Sequence, residues 1–144
     1  IKHYISAFGE HVIGKEVECA LKEAMEGTTI RVNEFTVAPQ ISPKEGLPFH
    51  EWLIEFVQPP DNAERFKKML DERLRELNSD YDAKRYNNMI LDEPLIHYAA
   101  EGTFDSWLKS KGKLGGQHKV PRLSNNREIM EQILQFEQAL KKNV

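Results

Sequence analysis

The chain has 144 residues, 40% of them hydrophobic and 30% charged, with a net charge of −3 and one cysteine. This is the composition of a folded domain, long enough to bury a core without disulfides, and it argues against a disordered chain. With no apolar run able to cross a bilayer, no charged-then-apolar leader and an acidic balance, the expectation is a cytoplasmic protein whose partners include neither a membrane nor a nucleic acid.

His3–Ser6 reads as a short strand, the stretch from Phe8 to His11 as a turn, and His11–Ile13 as a second short strand. A helix follows over about 15–27, with Val17, Ala20, Leu21 and Ala24 on one face and Gly27 as its stop. Ile30 to Ile41 is rich in β-branched residues, and its alternation slips between Val32 and Phe35, the mark of a bulge. Phe49 to Val57 places Trp52, Ile54 and Phe56 on one face, and the two long strands suit an antiparallel hairpin. After Pro59-Pro60, Asp61 and Glu64 match a capping box for a helix bearing Phe66, Met69, Leu70, Leu74 and Leu77. Residues 81–89 read as one or two helical turns, 95–100 as a third main strand, and Thr103 to Lys111 as a helix capped by Thr103. Asn125 and Glu128 match the capping pattern of a last helix with a stripe at Ile129, Ile133, Phe136 and Leu140. The expected class is α+β. It is a two-layer sandwich in which a small, mainly antiparallel or mixed sheet packs against helices, with a short N-terminal hairpin and residues 1–144 as a single domain. The chain starts inside what reads as a strand, which is taken as the mark of a piece of a longer polypeptide.

Most groups with chemical potential have plain structural readings. The five histidines show no metal-ligand spacing, so no metal site is expected. Cys19 reads as a buried, inert thiol, and the pairs Asp80/Asp82 and Asp92/Glu93 as turn and surface residues. The stretch from Lys109 to Arg122 is different. Its fourteen residues hold five cations (Lys109, Lys111, Lys113, Lys119 and Arg122) and no Asp or Glu, and taking those charges from the net −3 leaves −8 on the rest. Glycines at 112, 115 and 116 let a backbone approach a ligand, the lysines suit phosphate, and Pro121 stiffens the placement of Lys119 and Arg122. The stretch lacks the order of a P-loop, and on chemistry alone it is either a substrate-contacting segment or a solvated basic loop.

Two segments resemble a known family. Ile1 to Glu18, with its strand, Gly9 turn, second strand and Glu16-Val17-Glu18 helix start, resembles the hinge-side motif of the adenylate-forming superfamily. Gln117-His118-Lys119-Val120-Pro121-Arg122 resembles the closing lysine segment of the auxin-responsive promoter family, the acyl-acid amido synthetases related to firefly luciferase. Asn78 to Arg85, and its spacing to Gly102-Thr103-Phe104-Asp105, resembles the bacterial branch. The resemblance implies the C-terminal mobile lobe of a two-lobed ligase, inactive without the N-terminal ATP-binding domain that would be its partner. That enzyme adenylates a carboxylic acid with ATP and Mg, neither held firmly by this lobe, and joins the acid to an amine such as an amino acid. The same resemblance assigns Lys119 as the catalytic lysine. It makes Arg122, Lys113, His118, Gly9, Glu10 and His11 substrate- or nucleotide-binding residues, with Lys119 exposed beside the Phe8–His11 turn. The competing reading is a stand-alone α+β ligand-binding or regulatory domain.

Overall fold

The computed structural model describes residues 4–6, 9–113 and 119–142. Strands β1 (Tyr4–Ile5) and β2 (Val12–Ile13) pair antiparallel as the expected N-terminal hairpin, with Ile5 opposite Val12. Helix α1 (Gly14–Met25) buries Val17, Ala20, Leu21 and Ala24, the face that its spacing predicts. Strands β3 (Arg31–Gln40) and β4 (Phe49–Gln58) form the central antiparallel pair, with Val37 opposite Trp52. The slip in the β3 alternation is real, because the register shifts at Arg31/Val32 and again at Val32/Glu34.

Helix α2 (Ala63–Leu77) starts one residue later than the capping box suggests: Asn62, not Asp61, accepts from the Arg65 amide at 3.0 Å. Helix α3 (Ser79–Arg85) follows at once, and a 3₁₀ turn over Tyr86–Asn88 ends it. Strand β5 (Leu95–Tyr98) runs parallel to β4, so the sheet is mixed in the order β3-β4-β5. Helix α4 (Thr103–Lys113) is longer than expected. The Thr103 hydroxyl donates to the Ala100 carbonyl rather than capping, while a Glu55 oxygen accepts from the Phe104 amide at 3.1 Å. In helix α5 (Glu128–Lys142) the buried stripe is Met130, Ile133 and Glu137, with Leu140 exposed, and Asn126 instead of Asn125 accepts from the Glu128 amide.

The α+β class, the mixed sheet and the hairpin are as expected, and the helices are distributed over both faces of the sheet. Trp52, Ile54, Phe35 and Val37 face α1, α2 and α3 in one apolar cluster. Leu53 and Ala38 face Phe104 and Trp107 of α4 and Met130 and Ile133 of α5 in a second. Strand alternation explains the split, since neighbouring residues of β4 point to opposite sides. Among the described residues no helix is long and apolar enough to cross a membrane.

Candidate functional site

The segment from Lys119 to Ser124 is built into the sheet rather than looped over it. The Val37 amide donates to the Arg122 carbonyl and the Ser124 amide to the Val37 carbonyl, both at 3.0 Å, so the segment pairs parallel to β3 at Val37/Leu123. The Thr36 hydroxyl adds a 2.6 Å bond to the Pro121 carbonyl. Pro121 lacks an amide hydrogen and is tolerated because an edge segment needs donors on one side only. Side chains then alternate: Val120 is buried in the α4/α5 cluster and Leu123 in the α1/α2 cluster. Lys119 is exposed at the head of this anchored segment.

Arg122 is engaged inside the chain. Its guanidinium pairs with Glu34 and, at 3.7 Å, with Glu18, and lies 4.8 Å from the centroid of the Phe35 ring. That geometry fixes the segment against β3 and α1 and leaves Arg122 less available to a phosphate than its charge suggests. Lys109 and Lys111 lie on α4, not on a loop, and Lys109 pairs with Asp105 one turn earlier at 3.0 Å. The basic stretch is thus partly neutralised in space, by the neighbouring Asp105 and by Glu18 and Glu34 far away in sequence. Lys113 ends α4 with its side chain outside the described residues, and His118 also lies outside them.

The turn between β1 and β2 is fastened residue by residue. Gly9 is exposed with φ +95°, a left-handed conformation that favours glycine. Its amide donates to the Ser6 hydroxyl at 2.9 Å, and the Lys84 side chain passes beside it. Glu10 is fully buried, with its carboxylate 2.5 Å from Nε2 of His50, which is likewise 0% exposed in its side chain. His11 is exposed, and its carbonyl accepts from the Asn78 amide group at 2.7 Å. Val12 is buried. Gly9 and His11 therefore face outward while Glu10 and Val12 face inward.

The hairpin meets the Lys119 segment at that segment's far end. The Ser6 amide donates to Asn125 at 2.9 Å, and Leu123 lies against Gly14. These contacts tie the hairpin to the 123–125 end of the segment.

Sequence reasoning passed over His50 and Asp71. His50 falls in phase with Trp52, Ile54 and Phe56, so its inward direction was there to be read. Asp71 takes a bidentate pair from Arg85 at 2.9 and 2.6 Å and a 2.7 Å bond from the Tyr81 hydroxyl. Burial first, then the Asp71 charge, push the Tyr81 hydroxyl well above its ordinary pKa, so it stays protonated and donates to Asp71. Two residues of the Asn78–Arg85 stretch, Tyr81 and Arg85, are thereby structural. Cys19 is half-buried, and burial followed by the Glu23 carboxylate raises its thiol, away from a nucleophilic thiolate. Among the described residues no three metal-ligating side chains come together.

A model of the GH3 family C-terminal domain matches residues 15–128. That span includes Lys119 and Arg122 and leaves the Gly9 turn outside it. The solved structure of a GH3.15 acyl acid amido synthetase is similar with a TM-score of 0.75 at 20% identity, over 96% of this chain and 24% of that one. A second, AtGH3.15 acyl acid amido synthetase in complex with 2,4-DB, gives 0.74 at 18% identity, over 96% and 25%. The likeness establishes the fold, and the chain spans about a quarter of the length of these structures. No curated protein sequence matches the chain.

Proposed function

The chain belongs to the GH3 family through that family's C-terminal domain, and from this premise we propose that it is the mobile lobe of an ATP-dependent acyl-acid amido synthetase. The observation that carries the reading is the family match over residues 15–128, joined to a fold shared with a quarter of each larger synthetase. In the proposed reaction a carboxylate oxygen attacks the α-phosphorus of ATP and pyrophosphate leaves. An amine, with amino acids the proposed class, then attacks the acyl carbon, loses a proton and displaces AMP. ATP, its Mg and the acid would be held mainly by an N-terminal domain. The described residues of this chain offer Mg no three-ligand site.

Lys119 is the proposed catalytic residue of the first step. Two anions must approach each other, and an ammonium placed between them offsets their repulsion as charge develops. Its backbone suits that task, because the next four residues are held by β3 pairing, two buried side chains and the Arg122 contacts. Lys113 and His118 are retained as proposed phosphate contacts, and Arg122 as the anchor of the segment. The exposed Gly9 and His11 are the proposed contacts of the second step. The hairpin that carries them meets the segment through Ser6 and Asn125, which fits a lobe that moves its parts together between the two steps.

The test separates the half-reactions in the full enzyme that carries this lobe. Pyrophosphate exchange, screened over candidate acids, reads adenylation, and supplied acyl-adenylate reads amide formation. Lys119→Ala should lower adenylation by about 10²–10³, far more than amide formation. Equal losses in the two would overturn the role of Lys119. An absence of exchange with every acid in the wild-type enzyme would return the chain to the ligand-binding reading.

A further inference from the structure

Two ionisable side chains are buried together in a place where neither touches solvent. Glu10 follows the left-handed Gly9, and His50 sits near the start of β4, forty residues away. Both side chains are 0% exposed, and the Oε2–Nε2 separation is 2.5 Å. Among the described residues the other ring nitrogen of His50, Nδ1, meets no hydrogen-bond partner, and the imidazole lies 5.2 Å from the Tyr81 ring. An apolar pair of similar volume would serve packing at least as well, because desolvating two polar groups opposes their attraction. A buried polar pair adds geometry, since the bond forms in one orientation only.

What that orientation fixes is visible in the chain. Glu10 lies between Gly9 and His11, both exposed, while its own side chain is buried. With Glu10 tied inward to β4 and the His11 carbonyl tied to Asn78, the outward aim of Gly9 and His11 is set by contacts beneath them. We infer that Glu10 and His50 form a buried positioning pair that orients the Gly9–His11 turn for the amide-forming step. Glu10 therefore acts through its neighbours and leaves the substrate-binding set. The inference rests on the proposed synthetase function for the step it serves, but the pair and its hold on the turn do not depend on that reading.

The experiment compares His50→Leu with the double variant Glu10→Met/His50→Leu. The single variant removes the imidazole from beside a buried carboxylate and should melt well below wild type. The double variant, apolar on both sides, should recover most of that loss in this chain by thermal unfolding. In the full enzyme the double variant should form amide from supplied adenylate at least tenfold more slowly relative to its own pyrophosphate-exchange rate than wild type does. A double variant that recovers stability and keeps the wild-type ratio shows packing alone and overturns the inference. On this chain, amide hydrogen exchange gives a readout independent of turnover: the Gly9 and His11 amides should exchange at least tenfold faster in the double variant while α1 stays protected. Unchanged exchange at both amides would overturn the pair's hold on the turn. Wild-type enzyme without pyrophosphate exchange would instead count against the synthetase reading, and the exchange arm would still decide whether the pair holds the turn.

Discussion

Glu137 shows how one buried carboxylate joins two elements. It is 2% exposed on α5 and takes the Ala100 amide at 2.5 Å and His97 Nε2 at 2.9 Å, both near the end of β5. Burial alone would raise its pKa, but the Ala100 amide, His97 and the Lys141 ammonium outweigh it and hold the carboxyl below its ordinary value. A folded pKa below the unfolded one means stability that is present above the unfolded carboxylate pKa, about 4.3, and lost as pH falls through the folded value. Glu137→Gln should cost about 1–3 kcal/mol near neutral pH, and the gap to wild type should close below about pH 4. Urea unfolding of both proteins across this range is the check, and a gap that stays constant into acid would show that ionisation of Glu137 is not the source.

At the scale of elements, Asn78 joins more pieces than a cap usually does. Its side-chain oxygen accepts from the Tyr81 amide to start α3, and its amide group donates to the His11 carbonyl and to Glu16 at 2.9 Å. Glu16 in turn accepts from the Ile13 amide at the start of α1. Asn62 caps α2 and does little else, so Asn62→Ala should cost about 1 kcal/mol. Asn78→Ala should cost at least twice that, because it also removes a donor from the His11 carbonyl and one of the two donors on Glu16. Asn78→Asp keeps the acceptor, loses the donor and sets a second carboxylate beside Glu16, so it should fail to rescue; rescue in denaturant unfolding would reduce Asn78 to a cap.

The same elements show what could be read from the chain. The hairpin, α1, β3 with its bulge, and β4 were legible because their signals are local: helical spacing, alternation and turn residues. Two caps slipped by one residue because Asp61-Asn62 and Asn125-Asn126 each offer adjacent competent side chains, and Asn125 is taken by Ser6. The second helical layer was hidden by Glu51 and Glu55, which make that face of β4 look solvated. Both are buried, Glu51 against Arg127 at 2.9 Å and Glu55 against Asn33 at 2.6 Å. Lys119 came from a motif resemblance, whereas the β3 pairing that anchors its neighbours joins residues 85 or more apart and has no local signal.

In the molecule as a whole, the sheet is a wall between two apolar clusters, and the Lys119 segment is a short piece stitched into both. Val120 enters the α4/α5 side and Leu123 the α1/α2 side, three residues apart on one paired backbone. Leu123→Ala should cost about 2–5 kcal/mol from lost burial and the space it leaves. Its coupling to other changes reveals whether the segment docks as a unit. Ile133→Val lies across the sheet with no shared backbone, so its effect should add to that of Leu123→Ala within about 0.5 kcal/mol. Val120→Ala shares the segment. Once one anchor is lost and the segment loosens, the second has less left to hold, so the double variant should cost less than the sum by more than that margin. Strict additivity of Val120→Ala and Leu123→Ala in denaturant unfolding would mean that two independent contacts hold the segment. Sub-additivity would mean that the position of Lys119 depends on both cores at once, so that loosening either one moves the proposed catalytic residue.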